Sequence, residues 1–202
     1  MRLAVRARRQ ADARSVALIR KAASICLSYP GIGFPIQLAL VERAVEELDD
    51  AAAEPFRRFT GYAASLDPYD LASAYVETFD QGDRALLHLT RWRAGDTANR
   101  GEEIVKFITA YREAGYEYGG EELPDHLPVV LDFASCAGDR ASEVGGALLA
   151  EYRGALVKLH ESLERAGGRE EYARHAAELV EAVLRTLPET TPGSSSAETS
   201  RP

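Results

Sequence analysis

The sequence predicts an all-α fold, a single-domain bundle of about eight helices, and three observations carry that reading. Apolar residues recur with a helical period along most of the chain, alternation over a strand length is nearly absent, and Pro, Gly and Asp punctuate the periodic runs. With 202 residues, 46% of them apolar, the chain is long enough to bury a substantial core.

Residues 14–29 read as the first helix, with Val16, Ile19, Ala23 and Cys26 on one face. The stretch YPGIGFP breaks it, and Pro35 sits where a second helix begins, with Leu38, Val41, Val45 and Leu48 at helical spacing to about Asp49. Phe56, Phe59, Ala63 and Leu66 mark a third. Asp67 followed by Pro68 reads as an N-cap and a first-turn proline, opening a fourth helix whose inner face is Leu71, Tyr75 and Phe79. Helix resumes near Glu102, carries Ile104, Phe107, Ile108 and Tyr111, and stops at Gly115.

The polar run GYEYGGEELP then leads into EELPDHLPVVLDF, Glu121 to Phe133. Here Asp125 reads as an N-cap, His126 and Leu127 as the helix start and Pro128 as a first-turn proline, with Pro124 stiffening the approach. Residues 115–126 are therefore expected to act as a hinge. Two strongly periodic helices follow, one through Leu149, Tyr152, Leu156, Leu159 and Leu163, the other through Tyr172, Ala176, Leu179, Val183 and Leu187, split at Gly167 and Gly168. The helical domain is expected to span 13–187. Residues 1–12 read as a flexible basic arm, and Pro188 to Pro202 as a disordered tail with nothing to pack.

Charge excludes some functions. Twenty-four basic against 32 acidic residues give a net charge of -8, which argues against nucleic-acid binding and fits a basic partner. Arg14, Arg20 and Lys21 interrupt any signal-peptide apolar region, and no run reaches membrane-span length, so a cytoplasmic protein without membrane insertion is expected. Cys26 and Cys136 fall in apolar helical patterns, as reduced core cysteines do. Phosphate-loop, dinucleotide and zinc signatures are absent. His160 with Glu164, and Glu171 with His175, read as polar contacts along helices rather than metal ligands. Asp125 and His126 are neighbours in sequence, so they cannot face each other on a helix as a base and its orienter, and no nucleophile stands beside them. No catalytic residue, metal or resident cofactor is expected.

Four segments occur in order: YVETFD at Tyr75–Asp80, RALLHLT at Arg84–Thr90, GDTANRGE at Gly95–Glu102 and ELPDHLPVVLDF at Glu122–Phe133. Together they resemble the NarJ family, the assembly chaperones of molybdenum-containing respiratory nitrate reductase within the TorD-like group of redox-enzyme maturation proteins. The resemblance is close over Tyr29 to Cys136. It implies a TorD-like helical chaperone, not an enzyme, that binds the N-terminal peptide of the apo catalytic (alpha) subunit and supports molybdenum cofactor insertion. Molybdenum cofactor biosynthesis proteins are a secondary candidate partner.

The pattern carries over to Tyr75, Phe79, Asp80, Arg84 and His88, and to Glu122, Pro124, Asp125 and His126, as peptide-binding residues. Tyr75 and Phe79 could supply an apolar floor, and Asp80 and Asp125 could meet arginine or lysine. A chaperone for another molybdoenzyme of the same superfamily, or a permanent structural subunit, are the alternatives.

Overall fold

In the computed structural model, residues 2–81, 85–94, 99–136, 140–168 and 170–188 are described, and among them ten helices form. They are α1 (Arg2–Cys26), α2 (Phe34–Val45), α3 (Asp50–Ser65), α4 (Pro68–Phe79), α5 (Leu89–Ala94), α6 (Asn99–Glu113), α7 (Leu127–Phe133), α8 (Arg140–Glu151), α9 (Arg153–Gly167) and α10 (Glu171–Arg185). The fold is all-α, as the period required. The only extended pairing among the described residues is an isolated antiparallel bridge between His88 and His126.

Helix ends obey local chemistry. Asp67 caps α4 by accepting from the N–H groups of Tyr69 (2.8 Å) and Asp70 (3.0 Å), with Pro68 at the first helical position. Asp49 does the same for α3 through Ala52 N–H at 3.0 Å. Gly115, after α6, adopts φ +89°, a left-handed conformation that closes a helix end and that side chains resist.

The core lies where α1 and α10 cross the other helices. α1 packs on α7, α2, α3 and α10, and α10 packs on α9, α3 and α4. Tyr172 of α10 is buried among Phe59, Tyr62, Tyr75 and Phe79, all edge-on with ring centroids 5.8–6.3 Å away. Arg20 ties the C-terminal ends of two helices together. Its guanidinium donates to Ala134 O (3.3 Å) after α7 and to Thr186 Oγ1 (3.4 Å) after α10, where a cation meets the negative ends of both dipoles.

α8 approaches α7 so closely that a Cβ on Gly145 would lie 2.6 Å from the Ala134 Cα and Cβ. Gly145→Ala is expected to destabilise the fold by about 2 kcal/mol despite alanine's better helix propensity, because backbone must shift. At Gly146 the nearest atom is the Arg20 guanidinium, 3.3 Å away, which needs to give by only a few tenths of an ångström but is held by its bonds to Ala134 and Thr186. Gly146→Ala should cost clearly less than Gly145→Ala, because a side-chain tip and not backbone must shift, and urea denaturation of the two variants checks the contrast.

The structure departs from the sequence reading at several element bounds. α1 runs from Arg2 to Cys26, where the sequence reading had a helix over 14–29. α2 ends at Val45, and Leu48 is buried in the turn beyond it. The run through Leu149 and Leu163 is two helices broken at Tyr152. α5 had no counterpart. Residues 189–202 of the expected tail lie outside the described residues.

Candidate functional site

Two segments far apart in sequence are stitched together beside α4. Leu127 N–H donates to Leu87 O (2.8 Å) and Leu89 N–H to Asp125 O (3.1 Å), so residues 87–89 and 125–127 run antiparallel. The pairing puts the His88 and His126 rings 5.1 Å apart. From the other side, the Tyr111 hydroxyl donates to Pro124 O at 2.6 Å and holds the proline.

Asp125 is not the cap of its own helix. His126 holds the N-cap position of α7, and it makes no side-chain cap bond. The Asp125 carboxylate turns instead to α5, where its Oδ2 accepts from the Thr90 N–H (3.1 Å) and from the Thr90 hydroxyl (2.6 Å). Thr90 Oγ1 in turn accepts from Arg100 Nε at 3.1 Å. The physical reason is that Asp125 is wholly enclosed, and a buried carboxylate takes the donors its surroundings offer. It is therefore out of reach of a ligand's cation and acts on the site only through its neighbours.

Those neighbours set the charges. Burial pushes the Asp125 pKa up, but His88 and Thr90 outweigh it and hold the carboxyl below its ordinary value. His88 Nδ1 lies 3.5 Å from Asp125 Oδ1, longer than a normal hydrogen bond. His126 is pushed down to about 4, first by burial and then by His88, with Asp125 opposing. Its ring is therefore neutral at pH 7.

A cleft of about 160 Å³ opens over this pairing, lined by Tyr29, Tyr75, Phe79, Asp80, His88, Glu122 and His126 among others. Tyr75 and Phe79 form its floor and belong equally to the core, at 5% and 2% exposure, with ring centroids 4.9 Å apart. Asp80 and Glu122 are exposed at the rim. Asp80 is the C-cap of α4, where a negative charge opposes the helix dipole, so local stability does not explain it. The Tyr75 hydroxyl is kept protonated by burial and by the charges of Asp80 and Glu122.

Of the nine residues expected at the site, the structure gathers Tyr75, Phe79, Asp80, His88, Glu122 and His126 around this cleft. Pro124 and Asp125 lie buried beneath it. Arg84 lies outside the described residues. Tyr29, whose ring meets Tyr75 edge-on at 5.4 Å, was missed, as were the supports Thr90 and Arg100. Thr90 and Arg100 sit in the RALLHLT and GDTANRGE segments, which was the signal available for them. The His160–Glu164 and His175–Glu171 pairs, 3.7 and 3.9 Å apart, are helical neighbours, and no metal-binding group of three occurs among the described residues.

The family model described as nitrate reductase delta subunit matches residues 42–166, which include all nine site residues. The chain belongs to the nitrate reductase delta subunit family. It is 37% identical over 169 residues to the nitrate reductase-like protein NarX of Mycobacterium tuberculosis, covering 84% of this chain and 24% of NarX. It is 32% identical over 117 residues to the probable nitrate reductase molybdenum cofactor assembly chaperone NarJ of Bacillus subtilis, covering 57% of this chain and 64% of that protein. With the Escherichia coli assembly chaperone NarJ it shares 35% identity over 69 residues, 34% of this chain and 29% of NarJ. The chain thus spans about a quarter of the length of NarX. No helix among the described residues of this family member is long and apolar enough to cross a membrane.

Proposed function

We propose that this delta-family protein is an assembly chaperone for a molybdenum-containing nitrate reductase. It binds the N-terminal segment of the apo catalytic subunit in the cytoplasm and keeps that subunit open to cofactor insertion, with no turnover of its own. The observation that carries this reading is the convergence of two separate motifs on one cleft: an aromatic floor from α4 and carboxylates at Asp80 and Glu122. Such a site suits a basic amphipathic helix, whose apolar face meets the aromatics while its cations meet the rim. The names of the NarJ relatives agree with it.

Calorimetric titration with the N-terminal peptide of the nitrate reductase catalytic subunit from the same organism tests the proposal. Binding should weaken steadily as salt rises, since ions screen charges over about 8 Å at physiological strength. Asp80→Asn and Glu122→Gln should each weaken it about twofold to fivefold without changing stability, the range of an exposed ion pair. A peptide that does not bind sinks the reading, and affinity independent of salt removes the rim carboxylates from it. The family description also fits a permanent subunit, which would co-purify with the mature reductase at fixed stoichiometry.

A further inference from the structure

The cleft does not end at His126. Tyr29, Glu122 and His126 also line a broader depression of about 410 Å³, which reaches Tyr118, Val129 and Asp132. Those three in turn line a pocket of about 180 Å³ with Tyr111, Tyr116 and Phe133. Each space shares lining residues with the next, so the three adjoin in series as a segmented groove.

The far pocket is walled by rings. Phe133 meets Tyr111 at 4.6 Å and Tyr116 at 5.5 Å between centroids, both edge-on, and Tyr118 lies 5.8 Å from Tyr111. Tyr116 is exposed at the mouth. Acidic charge recurs along the groove, at Asp80 and Glu122 in the first cleft and at Glu117 in the far pocket, while Lys21, the cation of the middle depression, is paired with Asp132. Asp132 is already paired with Lys21, so Glu117, which lines the pocket, supplies its charge.

We infer that the partner segment runs the length of this groove and seats an arginine in the aromatic pocket, its guanidinium against the Tyr116 and Tyr118 rings and toward Glu117. Ring faces attract a cation, and a planar guanidinium stacks on them while still reaching a carboxylate, which an ammonium does less well. An apolar side chain would fill the space but make no use of Glu117. The inference rests on the reading that the first cleft takes a basic helical segment.

The same catalytic-subunit peptide is the probe, measured against the wild-type chain, Tyr116→Leu, Glu117→Gln and, for the first cleft, Asp80→Asn. Tyr116→Leu should weaken binding about fivefold and Glu117→Gln about threefold. One arginine-to-leucine change in the peptide should abolish both sensitivities while leaving that to Asp80→Asn intact. Glu117 is exposed, so Glu117→Gln carries the test should Tyr116→Leu alter the melting curve. If Asp80→Asn weakens binding and the two far variants do not, the first cleft is occupied and this inference alone fails. If Tyr116→Leu acts but Glu117→Gln does not and no arginine couples to either, the occupant is apolar and the inference is overturned. A peptide that fails to bind the wild-type chain removes the underlying reading and this one with it.

Discussion

Asp125→Ala is expected to destabilise the protein by about 3 kcal/mol, a drop of roughly 6–12 °C in Tm for a chain of this size. The carboxylate is completely enclosed and receives two hydrogen bonds from Thr90. Its removal strands a buried N–H and a buried hydroxyl, and it leaves Arg100, which donates to Thr90, without the negative charge one bond away. The main-chain bond from Leu89 to Asp125 O survives substitution, so the loss is confined to the side chain.

Asp125→Asn separates charge from shape. An amide oxygen can still accept from Thr90, but the negative charge facing His88 is gone, so a cost of about 1–2 kcal/mol is expected. Had Asp125 capped its own helix, asparagine would have served about as well and stability would barely have moved. Chemical denaturation of both variants decides between the two roles. Because Asp125 holds residues 88–90 in place, peptide affinity should fall with either substitution through displacement of His88, not through a lost contact.

This residue also shows where reading the sequence stops. The helical class was legible because burying one helix face forces a 3.6-residue period on any sequence long enough to repeat it. The α4 cap was legible because Asp67 and the N–H groups it accepts from lie within three residues of each other. Asp125 and Thr90 are 35 residues apart, so nothing local to either announces the bond. α5, at six residues, is too short for a period to declare itself. The break at Tyr152 was invisible for the opposite reason: Leu149, Tyr152 and Leu156 are all buried, so the apolar period continues straight through it. The gathering of Tyr75, Asp80, His88 and Glu122 came from resemblance alone, since the backbone bonds that bring the segments together carry no side-chain signature. Tyr29 escaped because a lone tyrosine at a helix exit looks like any loop residue until Tyr75 is placed against it.

Acidification should destabilise the protein in two stages, and His126 governs the first. Its folded-state pKa is lowered to about 4 by burial and by His88, while in the unfolded chain it is about 6.5. Above pH 6.5 the ring is neutral in both states and the shift has no effect. Between about 6.5 and 4 the unfolded chain binds a proton that the folded chain refuses, so stability falls as pH falls, by about 3 kcal/mol across the window. His175, also lowered, mainly by burial, adds in the same direction. Asp125 works below that range: its folded pKa is depressed, so its contribution is present above the unfolded value of about 3.9 and is lost only as pH drops through the folded one. Denaturation free energies at pH 7, 5.5 and 4.5 for the wild type and His126→Gln provide the check. The glutamine variant should lose most of the slope between pH 6.5 and 4.5 and should converge toward the wild type in acid. An equally steep slope in both would mean that His126 takes up its proton freely in the folded state, and that the ring beneath the cleft is charged where the geometry holds it neutral.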